Sequence, residues 1–311
     1  MTLMKAVRIH SYGGPDVLVH EDVQKPEPAQ GELLVAVHAA GVNPFDWKVR
    51  TGSVKGVRRL PLIPGWDVAG TVESVGAEVS RFKPGDAVFG LLSVVKDGAY
   101  AEYAVAKAKN MAFKPRSIDF VHTAALPVSA LAAWQSLFDL ADLSSGQTVL
   151  IHGASGGVGH YAVQLAKWKG ARVIGTTSGG GIDFVRDLGA DEVIDFRNVR
   201  FEDRVKDADV VLDLIGGETQ KRSWQVLRKG GILVSSVEIT SPDTDARYDV
   251  RQKLLMVHPS ADELTRIAAL IDEGKLRPVV SRVFSLADAR KAHEFIQSTD
   301  MQGKAVLKIR D

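Results

Sequence analysis

Residues 152–167 read HGASGGVGHYAVQLAK, directly after the apolar run TVLI and shortly before ARVIGTT. Ala154, Gly156 and Gly159 have the spacing of an (A/G)xGxxG loop. Each position has a task in holding a dinucleotide: a small residue permits the tight turn, a bare backbone lets the pyrophosphate approach, and the last glycine lets helix pack on strand. The start of the following helix adds unpaired N–H groups and partial positive charge for phosphates. Gly153, Ala154, Ser155, Gly156, Gly157, Val158 and Gly159 are therefore candidate cofactor-binding residues. An ordinary strand-to-helix turn would use the same residue types; the placement inside successive strand–helix–strand patterns favours the cofactor.

The type of dinucleotide depends on the end of the second strand. An NAD site places Asp or Glu about 20 residues beyond the loop to bind the ribose hydroxyls. This chain has Thr176, Thr177, Ser178 and Gly179 there, with no acid. A carboxylate about 5 Å from a 2′-phosphate would cost roughly 3 kcal/mol at an effective dielectric near 20, about a hundredfold in affinity. NADPH is the expected cofactor, with Thr177 and Ser178 at its ribose and Arg197 as the nearest basic candidate for the phosphate.

Elements of two kinds must position this loop. The first ~120 residues read as strands and turns: in GELLVAVHAAGV, Leu33, Val35 and Val37 alternate onto one face, GDAVFGL follows a Lys-Pro-Gly-Asp turn, and GAYAEYAVAK alternates again. From about Thr123 strands and helices alternate, with TVLIHG, ARVIGT, DEVIDF, DVVLDLIGG and GGILVSSV as strands and 157–170 and 181–189 as helices. Such a pattern predicts an α/β unit with a parallel sheet covered on both faces. From about Pro259, Leu264, Ile267, Ala268 and Ile271 form an amphipathic stripe, PVVSRVFSL reads as a strand, 286–297 as a helix and GKAVLKI as a closing strand. The expected division is a β-rich domain over 1–122, a dinucleotide-binding domain over 123–257, and a return segment over 258–311 that completes the first domain.

Composition narrows the chemistry. The 311 residues carry 39 Lys+Arg against 38 Asp+Glu, a balance without the electrostatic drive for nucleic acid or an anionic membrane. Small molecules are the expected partners. No cysteine is present, which excludes disulfides, thiolate nucleophiles and cysteine-rich zinc sites. His10, His20, His38, His122, His152, His160, His258 and His293 contain no HxxxH pair, whereas zinc needs three or four converging ligands. No metal site is expected. The start MTLMKAVRIH has no secretory h-region, so a cytoplasmic address is expected. Charge-free residues 120–138 contain His122, Pro127, Ser129, Gln135 and Ser136, which suit a buried helix better than a membrane span.

The glycine loop stands in an ordered set with NPFDWKVRTG (43–52), PGWDVAGTVESVG (64–76), FKPGDAVFG (82–90), ALPVSALAAWQSL (125–137) and the endings GKLRPVVSRVFSLADARKAHEF and GKAVLKI. On these motifs the whole chain resembles the medium-chain dehydrogenase/reductase superfamily, within its zinc-independent quinone oxidoreductase and alkenal reductase branch. The resemblance implies a GroES-like β-rich catalytic domain, a Rossmann doubly wound parallel sheet, and an active site in the cleft. Metal-dependent members carry Cys where this chain has Asn43, and Gly-His-Glu where it has Gly65, Trp66 and Asp67. Without a Lewis acid, a quinone or conjugated enone is the reasonable acceptor, because its own π-system spreads the incoming electron pair.

Similarity also places Asn43 beside nicotinamide and substrate, with Asp46 and Lys48 at the cleft. Asn-Pro also starts turns and Asp46 also suits a helix cap, so the structural alternative stays open. Branch members often carry a tyrosine just after the RxG turn, where this chain has Val54, leaving Lys48 or water as proton source. The resemblance further implies Ser129 near the nicotinamide, Ile215 and Gly216 on the adenosine side, Ser236 and Val237 at the carboxamide, and Lys304 at the pyrophosphate. An exposed edge strand of the Rossmann sheet would suit a homodimer. Two rival readings share the fold: a trans-2-enoyl thioester reductase, and a non-catalytic NADPH-binding redox sensor. A short-chain reductase is disfavoured, since its YxxxK motif would have to be Tyr103 and Lys107, which precede the glycine loop in a strand pattern.

Overall fold

The computed structural model describes residues 2–54, 56, 59–240, 247–297 and 301–311. The chain forms two compact units, one comprising Met1–Val128, Pro259–Gly274 and Pro278–Asp311, the other Ser129–His258 with Lys275–Arg277. In chain order the first unit supplies β1 (Leu3–Ile9), β2 (Leu18–Gln24), β3 (Glu32–Val42), α1 (Pro44–Arg50), β4 (Asp67–Val75), β5 (Ala87–Leu91), β6 (Tyr103–Lys107), β7 (Met111–Phe113) and α2 (Phe120–Ala124). Helix α3 (Pro127–Trp134) leads to β8 (Thr148–His152), α4 (Gly159–Trp168), β9 (Arg172–Thr177), α5 (Gly181–Asp187), β10 (Glu192–Asp195), β11 (Ala208–Asp213), α6 (Gly217–Ser223), β12 (Leu227–Ser235) and β13 (Arg251–Leu254). The return segment adds α7 (Ala261–Asp272), β14 (Val280–Ser285), α8 (Ala289–Ile296) and β15 (Lys304–Lys308). Helix α2 packs on β3 and β4, which is why the first unit runs past the change of pattern at Thr123.

In the first unit β1 and β2 pair as an antiparallel ribbon. The seven-stranded sheet runs β14-β15-β3-β4-β5-β7, with β6 also pairing to β3. β15 lies antiparallel to β3 with Ala305 opposite Val42, so the closing strand does return to the N-terminal sheet. β4 lies on the other side of β3 with Asp67 opposite Gly41. These two registers bring the residues after β3, before β15 and at the start of β4 to one corner. β3 buries almost every residue, not one face alone: it is a central strand, and the small Ala36, Ala39 and Ala40 are buried along with Leu33, Val35 and Val37.

In the second unit six strands run β10-β9-β8-β11-β12-β13, and every pairing is parallel. This is the doubly wound order, in which the chain reverses direction across the sheet between β8 and β11. Leu150, Ile174, Val211 and Leu233 of successive strands share one core with Phe201, Val205 and Trp224. Strand β13 and helix α6 have no clear sequence signal: β13 reads RQKL and is exposed at the edge, and α6 opens on glycine. Residues 120–138 do not form one helix; they divide into α2, α3 and the start of a π-helical turn, Gln135–Leu140. Pro127 enters at the first turn of α3, where its missing N–H costs nothing.

Gly41 is fixed by close approach. A methyl there would stand 2.4 Å from the Ala124 carbonyl oxygen and 2.7 Å from Asp67 Oδ2. Gly41→Ala is therefore expected to destabilise the protein by roughly 1–3 kcal/mol through overpacking against backbone, read by urea unfolding. A change within 0.5 kcal/mol of zero, a rough bound for harmless surface substitutions, would show that the corner relaxes freely.

Candidate functional site

Asn43 caps α1 in extended backbone, followed by Pro44. The Asn43 N–H donates to Asp46 Oδ2 at 2.8 Å, so Asp46 does serve as the third-residue half of a capping box. The Asn43 side chain turns the other way. Its Nδ2 donates to Asp67 Oδ2 at 2.8 Å, and its Oδ1 accepts from Lys304 Nζ. A carboxylate on one side and an ammonium on the other leave one sensible orientation for the amide. Lys304 Nζ also donates to the Val42 carbonyl at 3.2 Å and lies 3.8 Å from Asp67 Oδ2. Asp67 Oδ1 accepts the Val128 N–H at 2.8 Å.

Burial controls the protonation here. Asn43, Asp46, Asp67 and Lys304 are all at most 2% exposed. Loss of water pushes the Asp67 carboxyl up, and Lys304 and Asn43 pull it back; loss of water pushes Lys304 down, and Asp67 and Asp46 pull it back. The N–H donors on Asp67 and the carbonyl acceptors on Lys304 stabilise the ionic forms of both, so the pair is an internally solvated ion pair. Asp46 has no such cation in contact. Burial, helped by the Asp67 charge, raises its pKa to about 7 against the donors Asn43 and Tyr100. Asp46 Oδ1 has no hydrogen-bond partner among the described residues, nor has the buried Trp66 indole N–H. Lys48 is half-buried, 6.0 Å from the Trp47 ring.

The predicted site residues of this unit thus fall together in part. Asn43, Asp46 and Lys304 meet, and Lys48 lies two residues beyond Asp46 on the same helix. Lys304 is 1% exposed, and its ammonium donates to Asn43 and Val42 within the first unit. Asp67, Tyr100, His293 and Arg50 were missed. Asp67 was read only as the residue beside a missing metal ligand. His293 carried a faint signal: it lies on the buried stripe Ala289, Ala292, His293 and Ile296 of α8, a core position that a charged residue would avoid.

In the second unit the loop after β8 has the expected form. Gly153 takes φ +71, and a methyl on Gly159 would lie 2.2 Å from the Gly153 carbonyl oxygen. A methyl on Gly156 would meet only that oxygen, at 3.4 Å, so the loop surface there is open. No side chain caps the N-terminus of α4 at Val158. This bare, donor-rich surface is what a pyrophosphate requires, so Gly153, Ala154, Ser155, Gly156, Gly157, Val158 and Gly159 fit a dinucleotide.

Around the loop, Ile215 is exposed and its Cδ1 would lie 3.1 Å from a methyl on Gly153. Gly216 has φ +78, with Val237 flanking it. The buried Asp213 carboxylate, unread in the sequence, organises this edge: Oδ1 accepts the N–H groups of Ile215 and Gly216 at 3.0 and 2.8 Å. Its Oδ2 accepts from Gln220 and the Ser235 hydroxyl at 2.8 and 3.0 Å. Strand β11 therefore ends at Asp213, short of the expected Gly217. The Ser236 N–H is bound to the Asp213 carbonyl at 3.0 Å and Val237 is exposed. Ser129 is buried.

At the end of β9, Thr177 is buried and donates to the Ser155 hydroxyl at 2.8 Å, while Ser178 is half-buried. Asp195 pairs with Thr177 across β10, an acid that the spacing along one strand does not reveal. Its carboxylate accepts the Arg197 N–H at 3.1 Å and the Asn198 amide at 2.7 Å. His152, at the end of β8, is buried between the Thr176 and Ser223 hydroxyls at 3.0 and 2.9 Å, and burial lowers its pKa to about 4.

Comparison with known proteins agrees with both units. Residues 29–116 match the family described as Alcohol dehydrogenase GroES-like domain, and residues 188–307 the one described as Zinc-binding dehydrogenase. The chain is 36% identical over 323 residues to a quinone oxidoreductase of Sus scrofa, covering 98% of each chain. A quinone oxidoreductase structure from Coxiella burnetii superposes with TM-score 0.93 at 35% identity, over 99% of this chain and 100% of that one. An Escherichia coli quinone oxidoreductase, solved with NADPH, superposes with TM-score 0.90 at 28% identity, over 98% and 99%. The chain belongs to the medium-chain dehydrogenase/reductase family, in its quinone oxidoreductase branch. The zinc-binding description does not extend to its side chains: among the described residues no group of three His, Cys, Asp or Glu is placed to hold a metal.

Two predictions follow from these charges. Lys304→Met and Asp67→Asn are each expected to cost about 3–5 kcal/mol, because either leaves a buried charge without its partner. The double variant should cost clearly less than the sum; strict additivity in chemical denaturation would mean that the two charges do not interact. The second concerns acid. His152, and His293 with its pKa near 3, stay neutral in the folded chain while the unfolded chain takes up protons below its ordinary histidine range. Each therefore lowers stability by about 1.4 kcal/mol per pH unit as pH falls from about 6.5. Asp46 acts oppositely, since the folded chain holds its proton up to about 7 and the unfolded chain releases it above about 4. Asp46→Asn should steepen the acid loss of unfolding free energy between these limits by about 1.4 kcal/mol per unit. An unchanged slope would show that Asp46 is ionised throughout.

Proposed function

We propose that this protein is a zinc-independent oxidoreductase that transfers a hydride from NADPH to a quinone or an α,β-unsaturated carbonyl compound. The observation that carries this reading is that the second unit has an open glycine loop while the first has a corner where Asn43, Asp67 and Lys304 satisfy one another, with no set of metal donors among the described residues. NADPH, when bound, supplies the hydride. The N–H groups of Ser155, Gly157, Val158 and Gly159 would hold its phosphates, the Gly156 N–H being bound to the Gly153 carbonyl at 3.1 Å; Ile215, Gly216, Ser236 and Val237 flank it, and Ser129 approaches the nicotinamide. Ser178 and Arg197 receive the 2′-phosphate. Asn43, locked between Asp67 and Lys304, keeps one amide hydrogen beyond its bond to Asp67 and orients the acceptor.

Quinones and enones suit such a site because the electron pair is delocalised within the acceptor, so hydrogen bonds suffice where an isolated carbonyl would need a Lewis acid. The proton comes from Lys48 or from water. A cytoplasmic address, suggested by the cysteine-free composition, and a homodimer paired through the exposed edge of β13 belong to the same proposal. No helix among the described residues is long and apolar enough to cross a membrane.

The test is a panel of acceptors. With NADPH, turnover is expected for 1,4-benzoquinone or a short enal and not for a simple aldehyde, and prolonged chelation should leave it unchanged. Preference for an enoyl thioester would transfer the assignment to a thioester reductase, and absence of turnover with every acceptor to a cofactor-binding sensor. Fluorescence titration should show NADPH binding several-fold tighter than NADH. Ser178→Asp is expected to weaken NADPH roughly tenfold to a hundredfold and to spare NADH; equal losses would remove the 2′-phosphate from this strand end. Lys48→Ala should cost about a hundredfold with enals if its ammonium is the proton donor, and less with quinones, whose reduced oxygens take protons from water.

A further inference from the structure

Four buried side chains of the first unit form a chain of hydrogen bonds that the proposed reaction does not require as described. Arg50 Nη1 lies 3.2 Å from His293 Nδ1, His293 Nε2 lies 3.3 Å from the Tyr100 hydroxyl, and that hydroxyl donates to Asp46 Oδ2 at 2.9 Å. Arg50, Tyr100, His293 and Asp46 are each at most 1% exposed. They come from α1, from the segment between β5 and β6, and from α8, so hydrogen bonds join three stretches distant in sequence. Arg50 is anchored in turn by the Gly13 carbonyl at 3.2 Å and the Gln297 side chain at 3.3 Å.

The direction of every bond is fixed. A guanidinium can only donate, so His293 Nδ1 must accept and the ring proton must sit on Nε2. That N–H then donates to the Tyr100 oxygen, which leaves the tyrosine hydrogen directed at Asp46. Burial and the Arg50 charge hold His293 neutral, and burial keeps the Tyr100 hydroxyl protonated. Arginine at one end cannot give up its proton, so the chain does not conduct protons; it fixes an orientation. Its far end is the carboxyl whose same oxygen accepts the Asn43 N–H.

We propose that Arg50, His293 and Tyr100 are positioning residues that present a fixed donor to Asp46 and thereby hold Asp46 and Asn43 in their working geometry. This inference rests on the assignment of Asn43 to the acceptor site. The groups facing the chain are few. Asp46 is approached by Asn43, Tyr100, Asp67 and Lys304. Tyr100 meets Asp46, Asp67 and Arg50, and Arg50 also feels Asp16 and Glu294. Because Tyr100 favours the ionised form of Asp46, loss of its hydroxyl must move the titration upward. A charge-assisted hydrogen bond of ordinary strength corresponds to about one pH unit.

The test follows Asp46 directly by 13C NMR of the full chain labelled at aspartate carboxyl carbons, with Asp46→Asn to assign its signal. In the wild type the signal should titrate near pH 7. In Tyr100→Phe it should move up by about one unit, and His293→Leu should move it in the same direction by less. His293→Gln, which can both accept from Arg50 and donate to Tyr100, should restore the wild-type midpoint. In turnover of 1,4-benzoquinone with NADPH, Tyr100→Phe and His293→Leu should lower kcat about tenfold or more with the NADPH dissociation constant nearly constant, as a loss of positioning does. A purely structural role predicts lower thermal stability with an unmoved Asp46 midpoint, and that result overturns the proposal. The NMR titration does not depend on turnover. If the wild type reduces no acceptor, the functional reading fails while the midpoints still decide the role of the chain.

Discussion

The ion pair of Lys304 and Asp67, bridged by the Asn43 amide, is the constraint on which the first unit turns. Each charge is fully buried and each would be untenable alone. Their meeting requires two strand registers at once, Ala305 opposite Val42 and Asp67 opposite Gly41. A slip of one residue in either would send a charge to the wrong face of the sheet. The corner therefore specifies the docking of the C-terminal strand β15, and it requires glycine at position 41 so that the Asp67 carboxylate can lie across β3. Electrostatics here selects one topology; apolar packing of Val42, Val68 and Val306 would tolerate several.

The two units treat buried polarity in opposite ways. In the first, donors and acceptors close on one another, leaving Asp46 Oδ1 and the Trp66 N–H as the unpaired buried side-chain atoms among its described residues. In the second, Asp213 gathers the backbone after β11 and fixes the strand end, while the glycine loop after β8 keeps open backbone and an uncapped helix. The closed corner gives a fixed geometry for groups that must be placed accurately. An open loop suits a ligand that brings its own negative charge. A tightly self-satisfied loop would have to break bonds to admit a phosphate, and a loosely satisfied corner would let Asn43 wander.

The legible parts of the sequence were those carried by local pattern. The strand and helix following one another around Gly153, Gly156 and Gly159, the stripe of α7, and the strand pattern of GKAVLKI are all local signals. Periodicity and turn chemistry act within about ten residues. What escaped depends on partners distant along the chain. Arg50 and His293 are 243 positions apart, and nothing near either announces the other. Asp213 looks like any residue at a strand end until the four groups it binds are in place. Lys304 is a further case: its ammonium lies 3.8 Å from Asp67 Oδ2, a partner far along the chain that no local pattern announces.

The replacement of metal-ligand types at Asn43 and Trp66 also clarifies why the fold persists without a metal. A zinc ion would add a large positive charge and tie the ends of β3 and β4 together. In this chain Lys304 supplies positive charge from β15, and Asn43 spans the gap to Asp67 with one hydrogen bond on each side. The linkage between strands is retained while the Lewis acid is not. An ammonium already bound to a carbonyl and an amide has little capacity left to polarise a substrate oxygen. On the proposed function, the acceptors are those that stabilise their own developing charge, and the same three side chains at one sheet corner link β3, β4 and β15.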